Sequence, residues 1–106
     1  MEEKAKKLAE LLKILSNENR LLILCALMQG AKTVSQIWEF VPKITQSALS
    51  QHLTLLKTAG ILESDKHGMN VTYSIADNRV EAVITVLKQH YCDEPGCRIC
   101  EGSFVQ

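Results

Sequence analysis

The sequence lacks an excess of charge of either sign, a long apolar run and a large supply of aromatic side chains. Its 106 residues carry 12 basic and 12 acidic side chains, and 5% are aromatic. A net charge of zero gives no general attraction to nucleic acid or anionic lipid, so any such binding needs a local patch. The longest apolar run, residues 21–28, is far shorter than the roughly 20 residues of a membrane span. We therefore expect no membrane partner.

The first fifteen residues, "MEEKAKKLAELLKIL", lack the apolar stretch of a secretory signal. This predicts a cytoplasmic protein, in which thiols are normally reduced. The four cysteines then indicate reactivity or metal binding rather than structural disulfides. The length suits one small domain, which gains stability by burying more apolar surface in an oligomer.

Apolar spacing predicts four helices in the first 60 residues. They cover roughly 3–15, 18–29, 34–41 and 46–59. Asn17 and Thr45 are the expected N-caps of the second and fourth helices. Gly30, Pro42 and Gly60 are expected to end the second, third and fourth helices.

A β-hairpin and a final helix follow. The runs "ILESD" and "VTYSI" flank "KHGMN", in which Gly68 supplies the turn. Asp77 caps the last helix, "NRVEAVITVLKQHY". The order predicts a mainly α protein with a small β-hairpin, a winged helix-turn-helix in residues 1–92. Residues 93–106 form a cysteine-containing C-terminal tail.

The fourth helix separates apolar from polar side chains at about 100° per residue. Leu49, Leu53 and Leu56 fall together, with Ala48, His52 and Leu55 beside them. The opposite face carries hydroxyls, amides and a lysine, without carboxylates, which suits the donors and acceptors of a DNA major groove. The predicted DNA contacts, including those of the hairpin, are Lys43, Gln46, Ser47, Ser50, Gln51, Thr54, Lys57, Lys66, His67 and Asn70. His52, at the apolar edge, is expected to be packed and hydrogen-bonded rather than to read bases.

Other classes of protein fit less well. The chain offers no Ser-His-Asp order, phosphate loop or paired carboxylates, so we do not expect an enzyme. An ordinary solvated helix in a helical bundle also explains amphipathicity by itself. A protein-interaction winged helix stays open, because residues 32–76 carry four lysines against three carboxylates. So small an excess gives weak attraction to phosphate, which a dimer would double.

Three segments together resemble the ArsR/SmtB family of winged-helix repressors: "LSNENRLLILCAL", "TQSALSQHLTLLKTAGIL" and "VTYSI". The resemblance covers about residues 8–92. It implies a homodimeric transcriptional repressor held together by its first and last helices. The two recognition helices would lie in successive major grooves of double-stranded operator DNA.

The resemblance also directs attention to the places where this family binds metals. One is a "CVC" pattern in the third helix, where this chain reads "SQIWEF" and has no cysteine. Another spans the last helix, at positions occupied here by Asp77, Arg79, His90 and Asp93. Arg79 stands where the family has a histidine, and a guanidinium has no lone pair for a metal. We therefore predict no metal at either place.

A third place is a cysteine pair, here Cys25 in "LLILCAL" and Cys92 in "KQHYC". Both match the thiol-redox and persulfide-sensing branch of the BigR and HlyU type. The resemblance implies that joining Cys25 to Cys92 lowers operator affinity. A coupling of about 1–3 kcal/mol corresponds to roughly 5- to 150-fold.

The stretch "CDEPGCRIC" leaves a second sensor open. Cys92, Cys97 and Cys100 place three thiols in a short segment, which suits a soft ion. Zinc, cadmium or arsenite would then be the effector of a metal-responsive repressor, whereas the redox reading needs no cofactor.

Overall fold

A computed structural model describes residues 1–91 of the chain. Its elements in chain order are α1 (Glu2–Leu15), α2 (Glu18–Leu27), β1 (Lys32–Thr33), α3 (Val34–Trp38), α4 (Gln46–Thr58), β2 (Leu62–His67), β3 (Asn70–Ile75) and α5 (Asn78–Tyr91). The mainly helical class with a small β-hairpin is confirmed. The predicted tail lies outside the described residues, so the domain boundary at residue 92 stays a prediction.

Helix α2 forms the centre of the fold, as its nearly continuous apolar sequence predicts. The side-chain oxygen of Asn17 accepts hydrogen bonds from the backbone N–H groups of Asn19 and Arg20, at 3.0 and 3.1 Å. This satisfies two of the four N–H groups that a helix start leaves unpaired, and it confirms the predicted cap. The side chains from Ile23 to Leu27 are all buried.

Helix α2 ends two residues before its predicted limit. The N–H of Gln29 bonds to the carbonyl of Ala26, at 3.2 Å, and that of Gly30 to the carbonyl of Leu27, at 3.0 Å. These three-residue bonds tighten the chain into a turn after Leu27. Gly30, with a φ of 142°, therefore lies in the turn rather than at the helix end.

Helix α3 is also shorter than predicted. It ends at Trp38 instead of Val41, before Pro42 can act as the terminator. The indole N–H of Trp38 donates to the carbonyl of Ile44, at 2.9 Å. A half-buried indole N–H needs such an acceptor. The bond holds the turn between α3 and α4 closed, so Trp38 helps to fix where α4 begins.

A short strand was missed in the sequence. Strand β1 pairs antiparallel with β3, opposite Tyr73 and Thr72, which gives the strand order β1-β3-β2 within the described residues. Two residues are too few to show the alternation by which a strand is recognised. Strand β1 leads directly into α3 and attaches this part of the chain to the hairpin.

The hairpin strands are longer than predicted. The pairing runs from Leu62 opposite Ile75 to His67 opposite Asn70, so only two residues form the loop. Gly68 has a φ of 64°, a conformation that glycine adopts without steric cost. Its predicted place in the turn is confirmed. We call the hairpin, residues 62–75, the wing.

One core connects these elements. Leu49, Leu53 and Leu56 of α4 meet α2 and the start of the wing within it. Across the described residues the buried cluster contains Leu15, Ile23, Leu24, Cys25, Leu27, Ile37, Val41, Leu49, Leu53, Leu56, Ile61, Leu62, Val80 and Ile84. Helix α4 is thus held by its leucines, which leaves its other face outward.

Candidate nucleic-acid interface

The outward face of α4 is the centre of the candidate site. Ser47, Ser50, Gln51 and Thr54 are all exposed, as are Lys57 and Thr58. Leu49, Leu53 and Leu56 are at most 1% exposed. The predicted division of the helix into two faces is therefore confirmed. Leu55 departs from it, because its side chain is 37% exposed rather than packed with the other leucines.

The start of α4 is fixed by local hydrogen bonds. The hydroxyl of Thr45 accepts from the backbone N–H of Ala48, at 3.1 Å, which confirms the predicted N-cap. Gln46 and Ser47 stand in the first turn with their side chains exposed, and Lys43 is exposed in the preceding turn. A helix start carries a partial positive charge that favours a phosphate. Lys43 adds a full charge beside it.

The wing presents a second group of exposed side chains. Lys66, His67 and Asn70 are exposed, and Met69 is 96% exposed at the loop. A ring nitrogen of His67 lies 3.0 Å from a carboxylate oxygen of Asp65. This contact was not anticipated, although residues two apart share one face of a strand. Asp65 reduces the positive potential that the wing offers to phosphate.

His52 takes no part in the outward face. Its Nδ1 accepts a hydrogen bond from Nε of Arg20, at 3.3 Å, and the side chain is partly buried. Burial, and then the charge of Arg20, lower the pKa of His52 below its ordinary value of 6.5. The prediction that His52 is packed and hydrogen-bonded is confirmed. Arg20 was not singled out in the sequence, because its partner lies 32 residues away.

Comparison with known proteins decides the family. Residues 17–64 match the family model described as bacterial regulatory protein, arsR family. The transcriptional activator HlyU of Vibrio cholerae is 37% identical over 92 residues, which cover 87% of this chain and 84% of that protein. This chain belongs to the ArsR family.

Solved structures of the family agree with the fold. Reduced HlyU from Vibrio cholerae has a TM-score of 0.80 at 37% identity, over 87% of this chain and 96% of that one. The transcriptional repressor BigR from Xylella fastidiosa has a TM-score of 0.81 at 30% identity, and the match covers 89% of this chain and 95% of that one. Both are winged-helix regulators, as predicted. This ArsR-family chain is accordingly a transcriptional regulator and not an enzyme.

The family's metal position in the last helix is only partly described. The guanidinium of Arg79 donates to both carboxylate oxygens of Asp77, each at 3.0 Å, and the backbone N–H of Arg79 donates to the same carboxylate. The Arg79 side-chain hydrogen bond is the main reason that the pKa of Asp77 lies below its ordinary value. Asp77 thus acts as the predicted helix cap. His90 is exposed, and Asp93 lies outside the described residues.

Of the cysteines in the two alternative sensor sites, Cys25 lies within the described residues. Cys25 is 1% exposed within α2, and its sulfur is disulfide-bonded. The other cysteines, Cys92, Cys97 and Cys100, lie outside the described residues. Within residues 1–91, no three His, Cys, Asp or Glu side chains are grouped closely enough to hold a metal ion. No helix of that range is long and apolar enough to cross a membrane.

Proposed function

We propose that the chain works as a homodimer that reads double-stranded operator DNA through α4 and the wing. The observation that carries this proposal is the exposed face of α4, which shows hydroxyls and amides and no carboxylate between Gln46 and Thr58. Serine, threonine and glutamine can each hydrogen-bond to base edges. Gln46, Ser47, Ser50, Gln51 and Thr54 are the base-reading or nearby phosphate contacts. Lys43, Lys57, Lys66, His67 and Asn70 contact the backbone or the minor groove.

The homodimer is supported by apolar surface on the first and last helices. On α1, Leu8 and Leu12 are 55% and 50% exposed, and on α5, Val86 and Leu87 are 51% and 46% exposed. Covering such side chains is favourable by roughly 25 cal/mol for each Å² removed from water. A second copy would also double the small positive excess of the reading module. Dimerisation therefore supplies both stability and attraction to phosphate.

The DNA-binding proposal is tested by selection from a pool of duplexes with a randomised centre. The duplex that the wild type enriches becomes the probe for fluorescence anisotropy at several salt concentrations. We expect the probe to bind more tightly than the unselected pool, with an affinity that falls as salt rises. Failure to enrich any duplex, with salt-independent binding to protein partners instead, would make the chain an interaction module.

We further propose that a Cys25–Cys92 disulfide lowers operator affinity. Cys25 is disulfide-bonded, which supports its use as one half of the pair, and its burial suits the resolving rather than the attacking thiol. The Cys92 thiolate would attack the outer sulfur of a persulfide, R–S–SH, and release R–SH. Cys25 would then displace that sulfur as H₂S and leave the Cys25–Cys92 bond. The thiols of Cys25 and Cys92 together lose two electrons, and these reduce the persulfide to R–SH and H₂S.

The switch acts through the core. A Cys25–Cys92 bond would tie the central helix to the residue that follows α5 in the chain. Movement of α5 against α2 would change the spacing of the two recognition helices in a dimer. We expect roughly 5- to 150-fold weaker binding of the selected duplex.

The thiol proposal is tested with Cys25→Ser and Cys92→Ser, and with the double variant Cys97→Ser/Cys100→Ser as the matched control. A persulfide donor or diamide should weaken binding of the wild type and of the control by the same factor. Each single variant should keep full affinity. Equal loss in Cys25→Ser and the wild type would contradict the pair, and peptide mapping of the oxidised wild type should show the Cys25–Cys92 link.

A soft-metal sensor is the second candidate, and the C-x4-C-x2-C spacing of Cys92, Cys97 and Cys100 favours it. Three thiolates suit zinc, cadmium or arsenite better than harder ions. Stoichiometric retention of zinc or cadmium, lost in Cys97→Ser or Cys100→Ser and coupled to DNA release, would select this function. The redox switch predicts the opposite result, in which both variants respond normally to a persulfide.

A further inference from the structure

The side chain of Arg20 joins three helices at one point. Its Nε donates to Nδ1 of His52 in α4, at 3.3 Å, and its Nη1 donates to the carbonyl of Ile14 in the last turn of α1, at 3.1 Å. Its own backbone N–H is held by the Asn17 cap at the start of α2. Arg20 is therefore fixed at its base and bonded at its tip to both neighbouring helices.

This bridge stands where packing between α1 and α4 is incomplete. An open cleft of about 620 Å³ runs between Ile14 of α1 and the Ser50, Thr54 and Leu55 side of α4. Among the side-chain hydrogen bonds of the described residues, that of Arg20 to His52 alone connects α4 with the first two helices. The leucines hold α4 from within, but at this edge a polar contact takes their place.

The chemistry of the bridge requires a neutral histidine. A guanidinium has only donors, so Nδ1 of His52 must accept and the ring proton must lie on Nε2. Protonation of His52 would remove the acceptor and place a second positive charge beside Arg20. The lowered pKa of His52, caused by burial and by Arg20, agrees with this arrangement.

We propose that Arg20 is a positioning residue, which through neutral His52 fixes the orientation of α4 relative to the corner between α1 and α2. This inference rests on the proposed reading of DNA by α4. Because α1 is one of the proposed dimer helices, the same bridge sets the angle of each recognition helix within the dimer. It contributes to recognition of a selected sequence without touching DNA.

The elements around α4 carry further charged groups, namely Lys13, Glu18, Glu39, Lys57, Glu63 and those of the 65–67 segment of the wing. None of them hydrogen-bonds to His52, and Arg20 is the charge that shifts its pKa. A lowered folded pKa means that the bridge is complete above pH 6.5. It is lost as pH falls through the lowered pKa of His52.

The test compares His52→Asn with His52→Gln by anisotropy on the duplex selected by the wild type. Asparagine places its oxygen near the position of Nδ1 and does not titrate, whereas glutamine places its amide farther out. We expect His52→Asn to match the wild type at pH 7.5. His52→Gln and Arg20→Met should bind about tenfold more weakly, as expected for a lost hydrogen bond to a charged group.

The pH profile separates positioning from general stability. As pH falls from 7.5 through the lowered pKa of His52, the ratio of wild-type to His52→Asn affinity should fall, because only the wild type loses the bridge. Effects of pH on the rest of the chain are common to both proteins and cancel in this ratio. Binding to the unselected pool should not differ between the variants. A constant ratio, or Arg20→Met binding as tightly as the wild type, would overturn the inference. If the wild type itself selects no duplex, the DNA-reading proposal fails instead.

Discussion

Helices α2 and α4 cross the same core but expose different amounts of surface. In α2 five successive side chains, from Ile23 to Leu27, are buried, whereas α4 buries only Leu49, Leu53 and Leu56. Helix α2 is enclosed and carries Cys25, and helix α4 displays hydroxyls and amides. The contrast teaches that one helix of this core can be enclosed while its neighbour keeps a polar face outward. Arg20, which belongs to α2, links the two helices through its hydrogen bond to His52 of α4.

The largest effect should come from removing a core leucine from either helix. Leu24→Ala in α2 and Leu53→Ala in α4 each leave a cavity where the side chain is at most 1% exposed. We expect each to lower the free energy of unfolding by about 2–5 kcal/mol. Urea denaturation at one fixed protomer concentration measures this loss. A much smaller loss for Leu53→Ala would mean that α4 is less firmly held than α2.

The next effect concerns DNA affinity rather than stability. Gln51→Ala should weaken binding of the selected duplex by about 1–3 kcal/mol, as a lost base contact does. The free energy of unfolding should change by less than about 0.5 kcal/mol, because the side chain is exposed. Gln29→Ala, an exposed glutamine just after α2, is the matched control and should leave binding unchanged. Equal effects of the two variants would remove Gln51 from the reading face.

The two helix caps offer a finer comparison. Asn17 accepts two backbone N–H groups at the start of α2, whereas Thr45 accepts one at the start of α4. Replacing a cap by alanine costs about 1 kcal/mol. We expect Asn17→Ala to destabilise the fold more than Thr45→Ala, by denaturation. Thr45→Ala should also weaken DNA binding. The reverse order of stability would show that hydrogen-bond number does not govern these caps.

The smallest effect is expected from Lys57 at the end of α4. Lys57→Gln removes one proposed phosphate contact and should weaken the selected duplex and the unselected pool to the same extent. The slope of log affinity against log salt should become shallower by about one. Lys13→Gln, at the exposed end of α1, provides a control of equal charge change. Identical slopes for both variants would indicate that Lys57 lies away from the phosphates.

Patterns along one element were read correctly from the sequence. The caps Asn17 and Thr45, the buried leucines of α4 and the glycine turn of the wing all depend on residues close in the chain. Helix ends were predicted too late in α2 and α3. Their true ends depend on turn hydrogen bonds, such as that from Trp38 to Ile44, which leave no apolar repeat in the sequence. Strand β1 was missed because its two residues show no alternation, and because its partner strand β3 lies far along the chain.

The candidate site divides in the same way. The polar face of α4 follows from the spacing of polar and apolar residues within the helix, so it is predictable from the sequence. The hydrogen bond from Arg20 to His52 depends on the tertiary structure, because the two residues lie 32 positions apart. The contact of His67 with Asp65 was missed although both residues lie on one face of β2. The exposure of Leu55 was also missed, because the helical rotation places it near the leucines but the cleft beside Ile14 leaves it uncovered.

The sequence by itself determined that a leucine-backed helix presents neutral hydrogen-bonding groups, and that the chain carries four cysteines. These follow from helical periodicity and from residue chemistry, which need no distant partner. Only the tertiary structure decided that α2 encloses Cys25, that β1 joins the wing, and that Arg20 ties α1 to α4. Those contacts join residues far apart in the chain, so they arise only when a shared core brings the elements together.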